Sequence, residues 1–553
     1  MTDSHSYGVV GAIGTLSTVL QDRITATNPE LTIRETGSAD AFILSQHPLT
    51  PWHGTSSRGF VWDAINPSAK VADWKDAMHA ACAPGLAITD DGIILHASEW
   101  AVQPVYIHRQ GDVLLFATTI NAILRLVDGK LDPDWDAWAA ILAVKCPLGG
   151  RTPFASIARL GASISHVVDT RTRRFSSARE SPRTIGENRE PASAAEIAET
   201  IKLALVSDPD LDPSSPQEGG YLASLPLTGG WDSRMIAGTA CNLFGPGAFS
   251  ALTTPKHTEG DDPDVTASTQ VATFLGITQT VTFPDSSTFS TYASRAFELV
   301  EYETWEHLWF EPAVAHLHQR KLPVLDGLAG DALFKNDIVS EDLLAARTTA
   351  EVGDRLWGIL NKLPKSAAPG LPDHLRDELV ARARVDMEVS RSGLEGMRDE
   401  GRHAMLRTRT CHGIALAPYK MIASHTRAIT PHLHPDVANA ILSVPWQQKS
   451  NSALARAVLE EIRPGLSKLP STNDRPRTLP TTGSMRWDSP NSMDWTRERM
   501  SRLNELAHVG LSADDATALH AKRFERWRNG LIVLACWLET YESRLTSTRP
   551  PWW

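Results

Sequence analysis

The 553-residue chain has few cysteines: Cys82, Cys146, Cys241, Cys411 and Cys536, none in a C-x-x-C pair. That scatter argues against a disulfide framework and against the ligand spacing of structural zinc. Reduced thiols fit a reducing compartment, so a cytoplasmic location is expected. A basic excess is missing too, since the formal net charge is −11. Phosphate neutralisation needs a basic face, so no nucleic-acid partner is expected. Long apolar runs are also absent. Leu531 to Leu538, the longest near the end, is too short to span a bilayer, and Met1 to Gly8 carries no signal-peptide pattern. His316, His318, His425, His432 and His434 lack acids or cysteines at ligand spacing, so no transition-metal site is expected.

What remains is a globular composition, 42% hydrophobic and 22% charged, on a chain long enough for two or more domains. The first part reads as β-rich. Short apolar segments (Ala41–Leu44, Gly92–His96, Pro104–Ile107, Val113–Thr118) are separated in places by turn-forming pairs. A helix is expected over Pro133 to Ala143. The polar stretch Ser176 to Pro191 reads as a domain boundary, followed by a helix over Ala192 to Val206 and a second loop over Ser207 to Gly220. From Tyr221 strand and helix alternate. Strands are expected at Tyr221–Leu227, Phe249–Leu252, Thr278–Phe283 and Leu322–Leu325. Helices are expected at Asp232–Leu243 and Val265–Leu275, with a long helical region from Tyr292 to Arg320. Such alternation predicts a parallel sheet whose site lies at the C-terminal strand ends. Glu341 to Leu545 reads as mainly helical, interrupted by the Pro/Ser/Thr-rich stretch Ser467 to Ser492.

Two strand ends carry chemistry. Leu227-Thr228-Gly229-Gly230-Trp231-Asp232-Ser233 runs from a strand into a helix start. Glycines let backbone N–H groups approach an anion, the helix start adds donors, and Thr228 and Ser233 add hydroxyls. Asp232 would repel phosphate unless it holds a bridging Mg²⁺. No Gly-Lys-Ser/Thr follows, which excludes a Walker loop. The alternative is a plain strand–helix turn with an N-cap. At the second strand end, Asp326-Gly327-Leu328-Ala329-Gly330-Asp331 supplies another carboxylate, and Asp232 and Asp331 are expected to share the metal.

The first loop resembles the Ser-Gly-Gly-x-Asp-Ser loop of ATP pyrophosphatases, with Thr228 for the first Ser. Over most of its length the chain is similar to the asparagine-synthetase-like family. Asp326–Phe334 resembles that family's second acidic loop, and Ala248–Leu252 its second strand, where the backbone of Ala251 would read adenine. Ser424–Pro445 and Ala97–Tyr106 resemble two further segments. The resemblance implies an α/β fold with three parts. Residues 1–178 would form a degenerate glutaminase-type (Ntn-like) αββα domain, 179–220 a linker and leading helix, and 221–553 an ATP-pyrophosphatase-type parallel-sheet domain with a helical extension. It further implies ATP and Mg²⁺, with ATP contacts at Leu227, Thr228, Gly229, Gly230, Asp232, Ser233, Ala251, Asp326 and Gly327.

The departures narrow the expectation. Thr2 stands where the family's glutaminases have a nucleophilic cysteine, and Leu328 and Ala332 replace acids. In the Lys-x-x-Leu-Arg segment Arg456 fits, Ser452 sits where Lys is usual, and Lys449 one turn earlier is the candidate. Together these features look most like lasso-peptide macrolactam synthetases. Those adenylate an Asp or Glu side chain of a precursor peptide and close a ring on its N-terminal amine, working beside a leader peptidase and a leader-recognition protein. Asparagine- or β-lactam-type amide synthesis on a small acid, or a non-catalytic ATP-binding scaffold, are the other readings. The attacking amine needs a base. Glu301, Tyr302 and Glu303, followed by Glu306 and His307, form the candidate cluster, against the alternative of solvated helix-surface charges.

Overall fold

The computed structural model describes residues 8–47, 49–180, 190–214, 220–255, 262–283, 289–366, 368, 371–472, 490–507 and 527–553. Thr2 and most of the stretch Ser467 to Ser492 lie outside the described residues.

The β-rich first part forms two six-stranded antiparallel sheets. One runs in the order Ile157–Arg159, Tyr106–Gln110, Val113–Ala117, Val9–Gly14, Ala41–Ser45, Thr32–Arg34. The other runs Phe175–Arg179, Ile164–Val168, Gly92–His96, Gly85–Thr89, Ser57–Val61, Thr50–His53. Alternation along each strand gives each sheet two apolar faces. Val9, Ile13, Ile43, Leu114 and Phe116 meet Leu86, Ile93, Leu95 and Val168 between the sheets. The outer face of the second sheet, including Trp52, Ala87 and Ile94, is covered by Ala77 of the helix Trp74–His79. The outer face of the first, including Val10, Ala12, Leu115 and Ala117, joins the main core with Trp138 of the helix Trp135–Val144.

The second part is built on a five-stranded sheet in the order Thr278–Val281, Phe249–Thr253, Ala223–Pro226, Val324–Leu325, Ala428–Ile429, with every pair parallel. The chain is thus α/β, combining antiparallel sheets with a parallel one. The helices Trp231–Phe244 and Pro263–Leu275 carry the chain outward from the central strand to one edge. It then returns to the other side of that strand, so the order reverses between Ala223–Pro226 and Val324–Leu325. Loops leaving two such strands diverge and leave a crevice between them. The two glycine-bearing acidic loops are the ones that leave these strands.

One expectation is corrected. The region from Tyr292 to Arg320 is not continuous. It breaks into the helix Phe289–Leu299, a 3-10 turn Leu308–Phe310 and the helix Glu311–Arg320. Left-handed Glu301 (φ 51°) and Tyr302 (φ 62°) interrupt it, and Pro312 opens the last helix, where a missing N–H costs nothing. The strand Phe175–Arg179 runs one residue past position 178, and buried apolar residues from Val10 to Trp552 join in one cluster. Trp537 of the helix Trp527–Tyr541 packs on Trp138 and Phe154, with ring centroids 5.0 and 5.3 Å apart.

Candidate functional site

The first loop turns its own polar groups inward. Thr228 N–H donates to Ser233 Oγ (3.1 Å), Gly230 N–H to Thr228 Oγ1 (3.2 Å) and Gly229 N–H to Asp264 Oδ1 (3.1 Å). The helix Trp231–Phe244 starts at Gly230 with no side-chain cap, so its first amides are left to solvent or a ligand. Buried Arg234 fixes the loop from behind. It donates to the carbonyls of Gly229, Leu466, Leu469 and Pro470 at 2.8 to 3.3 Å.

The second loop meets the first through glycine. A β-carbon at Gly330 would lie 2.7 Å from Cβ and Cγ of Asp232, and one at Gly327 would lie 3.3 Å from Ser233 N. A side chain at Gly330 would force Asp232 to shift, and one at Gly327 would be tight. Left-handed Ala329 (φ 68°) precedes the short helix Gly330–Leu333, which carries Asp331. Arg402, fully buried, holds this helix by donating to the carbonyls of Ala332, Leu333 and Lys335 and to Asn336 Oδ1. Each loop is therefore pinned by one buried guanidinium reading carbonyls, a task suited to its fan of five donors.

Asp232 has two different oxygens. Oδ2 accepts from Lys335 Nζ at 2.8 Å, while Oδ1 is buried with no hydrogen-bond partner. Burial works against the Lys335 charge, but Asp232 outweighs it, Asp331 and Asp337 add to it, and the ammonium is held above its ordinary range. Asp331 accepts from Arg409 NH1 at 3.3 Å. His432 Nε2 lies 3.2 Å from the Asp232 carbonyl and reads as its donor. Asp326 Oδ1 accepts from Leu328 N–H (2.8 Å); burial raises this carboxyl to about 6, with that bond opposing. Sequence reasoning missed Lys335, Arg402 and Arg409. Lys335 had a signal, since it lies four residues after Asp331; the arginines come from a distant segment and had none.

Other expected residues sit elsewhere or are already engaged. Ala251 is inside the ladder, in register with Leu225 and Gln279, and its strand ends two residues later at Thr253. The base cluster is tied up at the junction with the antiparallel half. Glu301 accepts from Ile120 N–H (2.9 Å), Asn121 N–H (2.7 Å) and Lys420 (2.5 Å). Glu303 accepts from Lys420 (2.7 Å) and the Tyr106 hydroxyl (2.5 Å). The Tyr302 hydroxyl lies 2.9 Å from Thr540 Oγ1. Glu301 is thus held by three donors and Glu303 by two, with Glu303 Oε1 buried and without a hydrogen-bond partner. Lys449 is fully buried with an unpartnered Nζ, and burial, with Arg402 beside it, pushes the amine well below its ordinary range.

Among the described residues no group of three or more His, Cys, Asp or Glu can hold a metal ion alone. Asp232 with Asp331 makes only a pair. That suits Mg²⁺, which takes one or two carboxylates and fills its shell with water and phosphate oxygens. The unpartnered Asp232 Oδ1 beside an uncapped helix start fits a phosphate-bound Mg²⁺. A cavity of about 980 Å³ lies elsewhere, lined among others by Val9, Thr118, Asn121, Glu301 and Lys420. It includes Pro323 and Arg427, just before two parallel strands, and none of the loop residues.

No helix among the described residues is long and apolar enough to cross a membrane. No protein-family model and no curated protein matches the chain. Among solved structures, glutamine phosphoribosylpyrophosphate amidotransferase from B. subtilis, complexed with ADP and GMP, aligns at 8% identity. The alignment covers 50% of this chain and 90% of that one, with a TM-score of 0.22, and at that score it decides nothing about fold or chemistry.

Proposed function

We propose that the chain is an ATP-dependent amide-bond synthetase of the asparagine-synthetase-like kind, acting on a peptide. The observation that carries this is the pairing of two acidic glycine loops at the point where the parallel strand order reverses, with Asp232 Oδ1 buried and unpartnered between them. The start of the helix Trp231–Phe244, with Thr228 and Ser233, would grip the pyrophosphate end of ATP. Asp232 and Asp331 would hold Mg²⁺, which neutralises the charge on departing pyrophosphate. A carboxylate oxygen of the substrate bonds to the α-phosphorus while the α–β phosphoanhydride breaks. The amine nitrogen then bonds to the acyl carbon, AMP leaves, and the amine loses its proton. Holding the amine close makes this second step unimolecular, worth ~7–11 kcal/mol in favourable cases.

The finer reading is lasso-type macrolactam closure between a precursor peptide's N-terminal amine and an Asp or Glu side chain. Its support is the sequence resemblance, with Leu328 in place of the usual acid. A leader peptidase and a leader-recognition protein are the expected partners. The test incubates the chain with Mg-ATP and a candidate precursor peptide. AMP, pyrophosphate and a peptide lighter by one water are expected, and Asp232→Asn should abolish all three. Peptide-dependent AMP without ring closure would leave a synthetase for another amine. ATP binding with no turnover on any acid would leave only the scaffold.

A further inference from the structure

Arg409 lies on the π-helical segment Leu406–Ile414, a rare backbone form that recurs at functional sites. Its NH1 donates to Asp331 of the second loop at 3.3 Å. Its charge also bears on Glu306, which is ion-paired with Lys145 at the end of the helix Trp135–Val144. Burial alone would raise the Glu306 carboxyl, but Lys145 and Arg409 together hold it down at about 2. A chain of alternating charge therefore runs from the antiparallel half to the nucleotide loops: Lys145, Glu306, Arg409, Asp331.

Within that chain Arg409 is underused. Of five N–H donors, one meets Asp331, and the 3.3 Å contact is single rather than forked. The side chain is 27% exposed, and among the described residues its one hydrogen bond is to Asp331. Arg234 and Arg402, by contrast, are spent on backbone carbonyls. A planar, partly exposed cation beside a metal-competent acid suits an oxyanion. The first loop already offers amides and hydroxyls for the pyrophosphate end, and Arg409 lies across Asp331, toward the antiparallel half.

We propose that Arg409 is a nucleotide-binding residue that grips the α-phosphate, released from Asp331 as Mg²⁺ takes that acid, and that Glu306 with Lys145 positions it. This rests on the ATP reading above. The experiment is calorimetric titration of the full chain with two probes, Mg-α,β-methylene-ATP and Mg-pyrophosphate. Wild type is expected to bind both. Arg409→Ala should lose roughly tenfold or more in affinity for the nucleotide analogue, since a charged hydrogen bond is removed, and should keep pyrophosphate affinity within about twofold. Arg409→Lys should recover part of the loss. Glu306→Gln, which keeps the shape of the side chain, should show a smaller loss on the same probe only. Equal losses on both probes, or none on the analogue, would overturn the assignment while leaving the ATP reading intact. A wild type that binds neither probe would overturn both.

Discussion

Gly330 stands directly against Asp232. A single added carbon at this glycine would sit 2.7 Å from Cβ and Cγ of the aspartate and 2.8 Å from Oδ1, the oxygen with no partner. Gly330→Ala should therefore push the carboxylate out of place rather than strain the backbone. We expect pyrophosphate release to need far more Mg²⁺ for half-saturation, at a stability cost of about 1–3 kcal/mol. Magnesium titration of the variant beside a denaturant melt checks this. Unchanged magnesium dependence would remove Asp232 from the metal site.

Arg234 offers a test of what keeps the first loop in shape. It serves four carbonyls from inside the protein. Arg234→Met keeps the length and removes every donor. Loss of about 3 kcal/mol or more is expected, because buried acceptors are left unpaired. Lysine should not rescue it, since one ammonium cannot fan across the same carbonyls. Denaturation midpoints of the two variants decide it, and full rescue by Lys would mean that charge, not geometry, holds the loop.

Glu311 should give the chain a recognisable pH signature. Its side chain is fully buried beside Arg295; burial pushes the carboxyl up to about 7, with Arg295 opposing. In the unfolded chain it ionises near ~4.3. Between those values the folded state binds more protons, so this group's stabilising contribution falls as pH rises from ~4.3 to ~7. Glu311→Gln should remove that slope. The variant should be more stable than wild type by about 1–3 kcal/mol at pH 8, with the gap closing by pH ~4. Urea melts across that range measure it, and parallel curves would refute it.

Lys449 separates chemistry from burial. Its amine is unpartnered and lies beside Arg402. Lys449→Met should raise the melting temperature and leave pyrophosphate release within about threefold, because a buried amine with no hydrogen-bond partner costs stability. A drop of about a hundredfold without loss of stability would instead show that the amine reaches the reacting groups.

The loops were legible because their chemistry is local. Glycine pairs, small hydroxyls and an acid at the mouth of a helix can be read within seven residues, and alternation of strand and helix placed both loops at strand ends. What brings them together was not legible. The reversal of strand order depends on which side of Ala223–Pro226 the strand Val324–Leu325 docks, and no short segment encodes that choice. Glu301 and Glu303 misled for a related reason. As isolated acids they looked available, but Lys420, the Tyr106 hydroxyl and two amides from the antiparallel half meet them only after folding. Arg409 gave no local sign at all, and the partners of Glu306 lie far away in sequence.

The contact between Lys335 and Asp232 joins residues 103 positions apart. Everything between them, three strands and several helices, must be laid down before the second loop can close on the first. Contacts of such long range are slow to form, because loop closure is paid for before they reward it. The anion cradle therefore forms only after the strands between the two loops have docked. A chain that emerges from the ribosome only as far as the first glycine loop holds half a site, and it gains the other half only when the fourth parallel strand docks.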